Sequence, residues 1–280
     1  MFTLLISLNS NIVEGSAIIA QDIGQDTASS NIGKLTLVTI DVPSKEQSYL
    51  TLLKLNPDDP VALNNIGMFY LQVGNLEQAK KYLSKAVDLY PNDYLTHYNL
   101  GTLYGYLDDM QNAINQLNKA IELNPRSDEV FSALGTFYFR ENKLEKAEKS
   151  FSTALNINPK NIDALFGLMS VYQDENLIDT ALETGKKLLA VDNKYQQLHL
   201  ILSNLYFLKN DFTNALANAK EEQLLYPDEP ESYYMPVLIY DKTGNEKFYL
   251  DAANKLREVI KTNNSSKRSM NKFVNRLPLN

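Results

Sequence analysis

Six of the 17 tyrosines in the sequence recur at one fixed spacing of 34 residues. They are Tyr70, Tyr104, Tyr138, Tyr172, Tyr206 and Tyr240. A fixed spacing of this length indicates an array of similar units, because it places the same bulky side chain at the equivalent position of each unit. Such units bury a continuous core only by stacking on their neighbours, so the period constrains the fold more strongly than composition does.

Each unit is predicted to contain two helices. Counted from Pro60, the predicted units are residues 60–93, 94–127, 128–161, 162–195, 196–229 and 230–263. Within each half of a unit the apolar residues stand three or four positions apart, as on one face of a helix, and Gly, Asn, Asp or Pro bounds each half. We therefore expect a helix, a tight turn and a second, antiparallel helix.

Small residues recur with the same period. Gly67, Gly101 and Gly135 fall in the middle of the first helix, where glycine costs roughly 1 kcal/mol relative to alanine. That cost is acceptable if the missing side chain lets the partner helix approach closely. Alanine recurs on the second helix, as at Ala79 and Ala113, and a proline that stops the helix follows it.

The repeated pattern resembles the tetratricopeptide repeat: every 34 residues it has a bulky residue, then leucine-glycine, tyrosine, alanine and proline. The resemblance covers about residues 44–263. It implies an all-α fold: a right-handed superhelical solenoid of antiparallel helix pairs, concave on the side of the first helices. We expect about six repeats, a preceding half repeat at 45–57 and a C-terminal cap helix. The domains are then a leader (1–43), the solenoid (44–263) and a basic cap helix (264–280).

The later units depart from the pattern. Met169 replaces the glycine of the fourth unit, and Ser203 replaces that of the fifth. In the sixth, Pro236 falls inside the first helix and Tyr249 stands where alanine belongs, which predicts a shift in the register of the second helix.

The sequence offers no support for catalysis. It has no cysteine and two histidines, and His97 and His199 each occupy the bulky packing position of a unit. It has no zinc-protease helix motif, phosphate-binding loop or nucleophile elbow. We expect a protein that is not an enzyme and needs no cofactor or metal. The net charge of −7 argues against nucleic acid as a partner.

Recognition is expected on the first helices, where the solenoid is concave. Helical geometry places mixed amide, hydroxyl and aromatic side chains there, which suits a peptide. The predicted groove residues are Asn64, Met68, Tyr98, Asn99, Thr102, Tyr106, Ser132, Thr136, Arg140 and Phe166. Asn65 and Asn99 resemble two rungs of the asparagine ladder of some family members. The basic residues of the chaperone-binding carboxylate clamp are missing from the first two units.

The function predicted from the resemblance is a scaffold or adaptor that binds a peptide or helical segment of a partner protein in this groove. The alternative is a regulatory or targeting module of an enzyme or of an envelope assembly complex. Weak self-association through the end helices is a third option. A membrane span is not expected, since no stretch reaches the roughly 20 apolar residues it requires.

The leader bears on localisation. The run FTLLISL followed by Gly15-Ser16-Ala17 is similar to the later part of a secretion signal, but no basic cluster precedes it. We expect a cytoplasmic protein; a signal peptide in residues 1–17 would instead make it periplasmic or secreted. At the other end, residues 255–276 are rich in Lys and Arg. These residues either form the solvent-exposed outer face of the cap helix or serve as a docking patch for an anionic partner.

Overall fold

The computed structural model describes residues 16–18 and 39–262. Two short strands, β1 (Ser16–Ile18) and β2 (Thr39–Asp41), pair antiparallel with Ser16 opposite Asp41. The remaining leader and the predicted cap helix (264–280) lie outside the described residues. The chain divides into two compact units, unit 1 (Met1–Arg126) and unit 2 (Ser127–Asn280), each of which is described by itself.

Unit 1 contains one helix followed by two helix pairs. The helices are α1 (Val42–Leu55), α2 (Pro60–Gln72), α3 (Leu76–Leu89), α4 (Tyr94–Tyr106) and α5 (Met110–Leu123). Helix α2 packs on α3 and α4 packs on α5, while α1 contacts α2 and α3 contacts α4. The first helices α2 and α4 also contact each other, so the pairs stack side by side within the unit.

Unit 2 contains helix pairs of the same kind. Its α-helices are α6 (Asp128–Arg140), α7 (Leu144–Ile157), α8 (Ile162–Asp174), α9 (Ile178–Val191), α10 (Leu198–Leu208), α11 (Phe212–Leu225), α12 (Tyr234–Lys242) and α13 (Glu246–Thr262). A single 3-10 turn, Pro230–Tyr233, precedes α12. Apart from the two three-residue strands, the prediction of an all-α fold of antiparallel helix pairs is confirmed. The number of repeats and the domain boundaries stay predictions.

The second helices keep the 34-residue register throughout the described chain. They begin at Leu76, Met110, Leu144, Ile178, Phe212 and Glu246. The predicted register shift of the sixth pair is therefore wrong. Pro236 is accommodated near the start of the short helix α12, after the 3-10 turn, where few helical hydrogen bonds are lost.

A left-handed residue recurs in the turn between the two helices of each pair. These residues, all with φ between 57° and 78°, are Gly74, Asp108, Asn142, Asn176, Asn210 and Gly244. They are 34 residues apart, and Gly, Asn and Asp are the residue types that tolerate this conformation. After three of these turns, at Asn75, Asp109 and Asp211, the next side chain accepts a hydrogen bond from the start of the second helix.

The glycines of the first helices lie against large side chains of the second helices. A Cβ atom built on Gly67 would stand 2.6 Å from Leu83 Cγ, and one on Gly135 would stand 2.7 Å from Phe151 Cδ1. On Gly101 it would lie 3.1 Å from Leu117 Cδ2. The glycine therefore makes room for the residue 16 positions later, and its cost to the helix is offset by close packing.

In the fourth pair the large residue lies on the first helix and the glycine lies on the second helix. Met169 stands at the glycine position of α8, and the residue 16 positions later on α9 is Gly185. A Cβ atom on Gly185 would come within 3.0 Å of Met169 Sδ. The exchange preserves the summed volume at the helix contact, so the departure at Met169 is compensated within its own pair.

The last two pairs use intermediate sizes at these positions. Ser203 is fully buried on α10, and its hydroxyl donates a 2.7 Å hydrogen bond to the Ala215 carbonyl of α11. In the sixth pair Val237 and Ala253 are buried in one cluster. Each departure from glycine thus has a partner of suitable size or a hydrogen bond on the second helix.

Several of the recurring tyrosines connect their pair to the helix that precedes it. The Tyr70 hydroxyl donates a 2.5 Å hydrogen bond to Glu46 Oε1 of α1, and the Tyr172 hydroxyl donates one of 3.1 Å to Glu148 Oε1 of α7. In both cases the partner lies 24 residues upstream. Burial, assisted by the Glu148 carboxylate, raises the pKa of Tyr172 to about 12. The Tyr104 ring instead lies under Lys80 Nζ, 5.6 Å from the ring centroid.

We predict that the size match between Gly135 and Phe151 is measurable as an energetic coupling. Gly135→Ala should lower the free energy of unfolding by about 1–3 kcal/mol, because the new methyl group overlaps the Phe151 ring. In a Phe151→Leu background the same substitution should cost less, with a coupling of about 0.5–3 kcal/mol. Urea unfolding of the four proteins measures both quantities. Equal costs in the two backgrounds would contradict the assigned contact.

Candidate partner-binding surface

In unit 1 the exposed sides of the first helices carry no charge. Helices α2 and α4 have thirteen residues each, and neither contains Asp, Glu, Lys or Arg. We call the side chains along their exposed sides the uncharged face. At helical spacing these are Val61, Asn65, Met68 and Gln72 of α2 and Leu95, Tyr98, Thr102 and Tyr106 of α4.

Two of the predicted groove residues of unit 1 meet below the uncharged face. Asn64 and Asn99 are each 6% exposed, and Asn99 Nδ2 donates a 3.2 Å hydrogen bond to Asn64 Oδ1. This bond joins α4 to α2. Asn65, the residue expected to form the ladder with Asn99, is exposed instead. The amide contact therefore runs through the neighbouring asparagine, and it holds the two first helices in register.

The other four predicted groove residues of unit 1 are more accessible. Met68, Tyr98 and Thr102 are half-buried, and Tyr106 is 57% exposed at the end of α4. The Thr102 hydroxyl donates to the Tyr98 carbonyl at 3.0 Å, one turn earlier on the same helix. The tyrosines combine an apolar ring with a polar tip, which is the chemistry common at protein interfaces.

The four predicted groove residues of unit 2 lie on α6 and α8. Ser132 is buried and donates to the Glu129 carbonyl at 3.0 Å, while Thr136 is exposed and donates to the Ser132 carbonyl at 3.0 Å. Arg140 is exposed at the end of α6. On α8 the half-buried Phe166 ring packs on the Tyr195 ring with centroids 5.4 Å apart.

Sequence reasoning missed three residues of these surfaces. Val61 and Leu95 are 65% and 44% exposed although they are apolar, and they are 34 residues apart at the second position of their units. A comparison of equivalent positions could have found them. The next two units carry the acidic residues Glu129 and Asp163 at this position, which indicates that the position is exposed. Tyr195 lies outside the helices, so helical periodicity could not place it against Phe166.

Both histidines pack between helices, as predicted. His97 is buried, with Nδ1 2.7 Å from Gln116 Oε1 and Nε2 2.9 Å from the Pro91 carbonyl. His199 is also buried, with Nδ1 3.2 Å from Asn218 Oδ1. These contacts join the first helix of a pair to its second helix or to the preceding turn, which is a structural use of the imidazole ring.

Unit 2 also buries one carboxylate. Glu222 of α11 is 2% exposed, and the backbone N–H of Leu200, in the first turn of α10, donates a hydrogen bond to it. Helix α10 begins after Gln197, whose side chain makes no capping bond, so Glu222 takes that place from the neighbouring helix. Among the described residues, Glu222 Oε2 is the buried side-chain oxygen that finds no hydrogen-bond partner. Burial raises the Glu222 pKa, against an opposing effect of His199.

The described residues contain neither a metal-binding cluster nor a membrane-spanning helix. Among residues 16–18 and 39–262, no group of three or more His, Asp or Glu side chains is arranged to hold a metal ion. In the same part of the chain, no helix has the length and apolar character needed to cross a membrane.

Part of the sequence matches models of a known protein family. Two family models described as tetratricopeptide repeat match residues 58–126 and 107–172. No curated protein matches the sequence.

Solved structures resemble the chain over most of its length. A structure of PilF from Pseudomonas aeruginosa has 18% identity and a TM-score of 0.62, covering 78% of this chain and 93% of that one. PilW, described as a type IV pilus biogenesis factor, has 18% identity and a TM-score of 0.64 over 71% and 92%. YrrB, described as a TPR protein with an unusual peptide-binding site, has 19% identity and a TM-score of 0.52 over 67% and 96%. At these identities the likeness concerns the fold alone.

The buried Glu222 carboxylate should make stability depend on pH. Because its pKa is raised in the folded chain, the unfolded chain releases this proton at lower pH, and stability falls as pH rises above about 4.5. Glu222→Gln keeps an acceptor for Leu200 and removes the titration. We expect the variant to melt at a higher temperature than wild type at pH 7, with a smaller difference at pH 4. A lower melting temperature for the variant at pH 7 would show that the charged carboxylate stabilises the fold.

Proposed function

Because the chain is a tetratricopeptide repeat protein, a family whose members bind peptides or proteins, we propose that it binds a peptide segment of a partner protein on its first helices. The tetratricopeptide fold is a protein–protein interaction scaffold. The finer proposal concerns where a ligand lies. The exposed sides of α2 and α4 offer one surface in unit 1, and those of α6 and α8 offer a separate surface in unit 2.

The observation that carries this proposal is the accessibility of large side chains on one side of the first helices. Val61, Leu95 and Tyr106 expose apolar surface, and Tyr98 lies half-buried one turn from Leu95. Burying such surface against a ligand contributes roughly 25 cal/mol per Å² before the cost of association. Clustered aromatic residues with a polar rim are the usual centre of an interface.

The groups around these anchors suit a peptide backbone. The amides of Asn65 and Gln72 are exposed on α2, and each amide has both a donor and an acceptor. In unit 2, Thr136 and Arg140 of α6 are exposed and supply a hydroxyl and a guanidinium group, and α8 supplies the half-buried Phe166 ring. The proposed ligand therefore contributes apolar side chains to the anchors and backbone groups to the surrounding amides and hydroxyls.

The contacts on the buried side of the first helices also support this proposal. His97, the Asn64–Asn99 pair and the glycine contacts hold the first helices in place from the buried side. The exposed sides are left to contact a ligand. A surface built on rigid helices loses little entropy when a ligand binds, which favours affinity.

We predict that Tyr98→Ala weakens binding to a partner isolated by affinity purification from the native cell. A loss of about 1–2 kcal/mol in binding free energy is expected for an interface anchor, with helicity unchanged. Titration calorimetry of purified proteins measures the affinity, and circular dichroism measures the helicity.

The matched control is the neighbouring His97, whose side chain faces the interior. His97→Ala should lower the melting temperature through loss of the contacts to Gln116 and Pro91, and the folded variant should keep wild-type affinity. If Tyr98→Ala binds as tightly as wild type, the ligand is not bound at this face and the proposal is wrong.

A further inference from the structure

The uncharged face of unit 1 differs from its counterpart in unit 2 at four equivalent positions. Val61 and Leu95 correspond, at spacings of 34 residues, to Glu129 and Asp163. The same spacing relates Gln72 and Tyr106 to Arg140 and Asp174. The four residues are exposed in both units, but those of unit 2 are acidic or basic and carry charge at neutral pH, whereas those of unit 1 are uncharged.

The difference is confined to the first helices. The second helix α3 of unit 1 carries Glu77, Lys80, Lys81, Lys85 and Asp88. Unit 1 therefore has charges, but in its described residues they lie on α1, α3, α5 and the turns, and not on α2 or α4. An exposed helix surface usually carries charged residues, so their absence from both α2 and α4 is a property of this face rather than of the whole unit.

Absence of charge decides which ligands the face can hold. A ligand carboxylate, ammonium or guanidinium group bound here would lose hydration, and α2 and α4 offer no opposite charge in return. An apolar ligand side chain meets no such penalty, because Val61, Leu95 and the Tyr106 ring are themselves exposed apolar groups. The backbone of such a ligand can still pair with the exposed amides of Asn65 and Gln72.

We infer that the uncharged face binds an uncharged, extended protein segment that carries large apolar side chains. This inference rests on the proposed function, since it specifies the ligand of the same surface. Acidic or basic segments are excluded from α2 and α4, and binding at this face is insensitive to salt because no ion pair contributes to it. A ligand that carries charge would have to bind elsewhere.

The test uses a random peptide library of about twelve residues per peptide, selected on the immobilised full-length chain. The enriched peptides should lack Asp, Glu, Lys and Arg and should carry several large apolar residues. Fluorescence anisotropy with a labelled copy of the most enriched peptide should give a Kd that changes less than about twofold between about 0.05 M and 0.5 M NaCl.

Two paired variants separate charge from shape. Val61→Glu with Leu95→Asp gives unit 1 the acidic residues that unit 2 carries, and it should weaken binding of the selected peptide by more than about tenfold. The control, Val61→Gln with Leu95→Asn, has the same size and polarity without charge and should weaken binding less. All four replacements lie at exposed positions, so folding is expected to persist. Tyr106→Asp, equivalent to Asp174, is a further variant that should reproduce the loss.

The outcomes distinguish this inference from the function on which it rests. Enrichment of charged peptides that no longer bind the Tyr98→Ala variant would overturn the uncharged ligand and leave peptide binding in place. Wild-type affinity in the acidic variant together with loss of affinity in Tyr98→Ala would have the same meaning. Failure to enrich any peptide would overturn both. Capture of uncharged peptides that the acidic variant and Tyr106→Asp no longer bind would establish the inference.

Discussion

The first four helix pairs depend on the match in size between two residues that are 16 positions apart. Three pairs place glycine on the first helix and Leu or Phe on the second, and a Cβ atom on Gly135 would come within 2.7 Å of the Phe151 ring. Phe151 also fills the space above Gly167 of the next first helix, where a Cβ atom would lie 2.2 Å from its Cζ. One buried ring thus sets the spacing within a pair and to its neighbour, because neither glycine can be enlarged without moving it.

This packing leaves each first helix with one buried side and one exposed side. The buried side carries the glycines, the histidines and the Asn64–Asn99 bond, all of which hold the helix in position. In unit 1 the exposed side then carries apolar and amide groups without charge, while the charges of that unit lie on α3 and other elements. The same architecture in unit 2 carries Glu129, Arg140 and Asp163 on its exposed sides. A common scaffold can therefore offer surfaces of different chemistry without any change in packing.

The sequence predicted the helix pairs because periodicity and turn residues are local signals that recur six times. It did not predict how the fourth and sixth pairs tolerate their departures. Met169 is explained by Gly185 on the facing helix, and Pro236 by its place near the start of α12, just after a 3-10 turn. The surface was harder to predict. Helical spacing selected Tyr106, which is exposed, and Tyr98, which is half-buried, but it also selected Asn64, Asn99 and Ser132, which are buried. Whether an amide or hydroxyl is exposed depends on the neighbouring helix, and spacing along one helix does not contain that information.

The central claim is that glycine-packed pairs stack α2 beside α4 and expose Val61 and Leu95 on one face. The most direct measurement is a distance between spin labels at Val61→Cys and Leu95→Cys, because the natural sequence has no cysteine that could be labelled as well. Neighbouring packed helices lie about 8–10 Å apart, so a narrow distribution centred at roughly 10–20 Å between the labels is expected. A broad distribution, or one centred beyond about 30 Å, would contradict it.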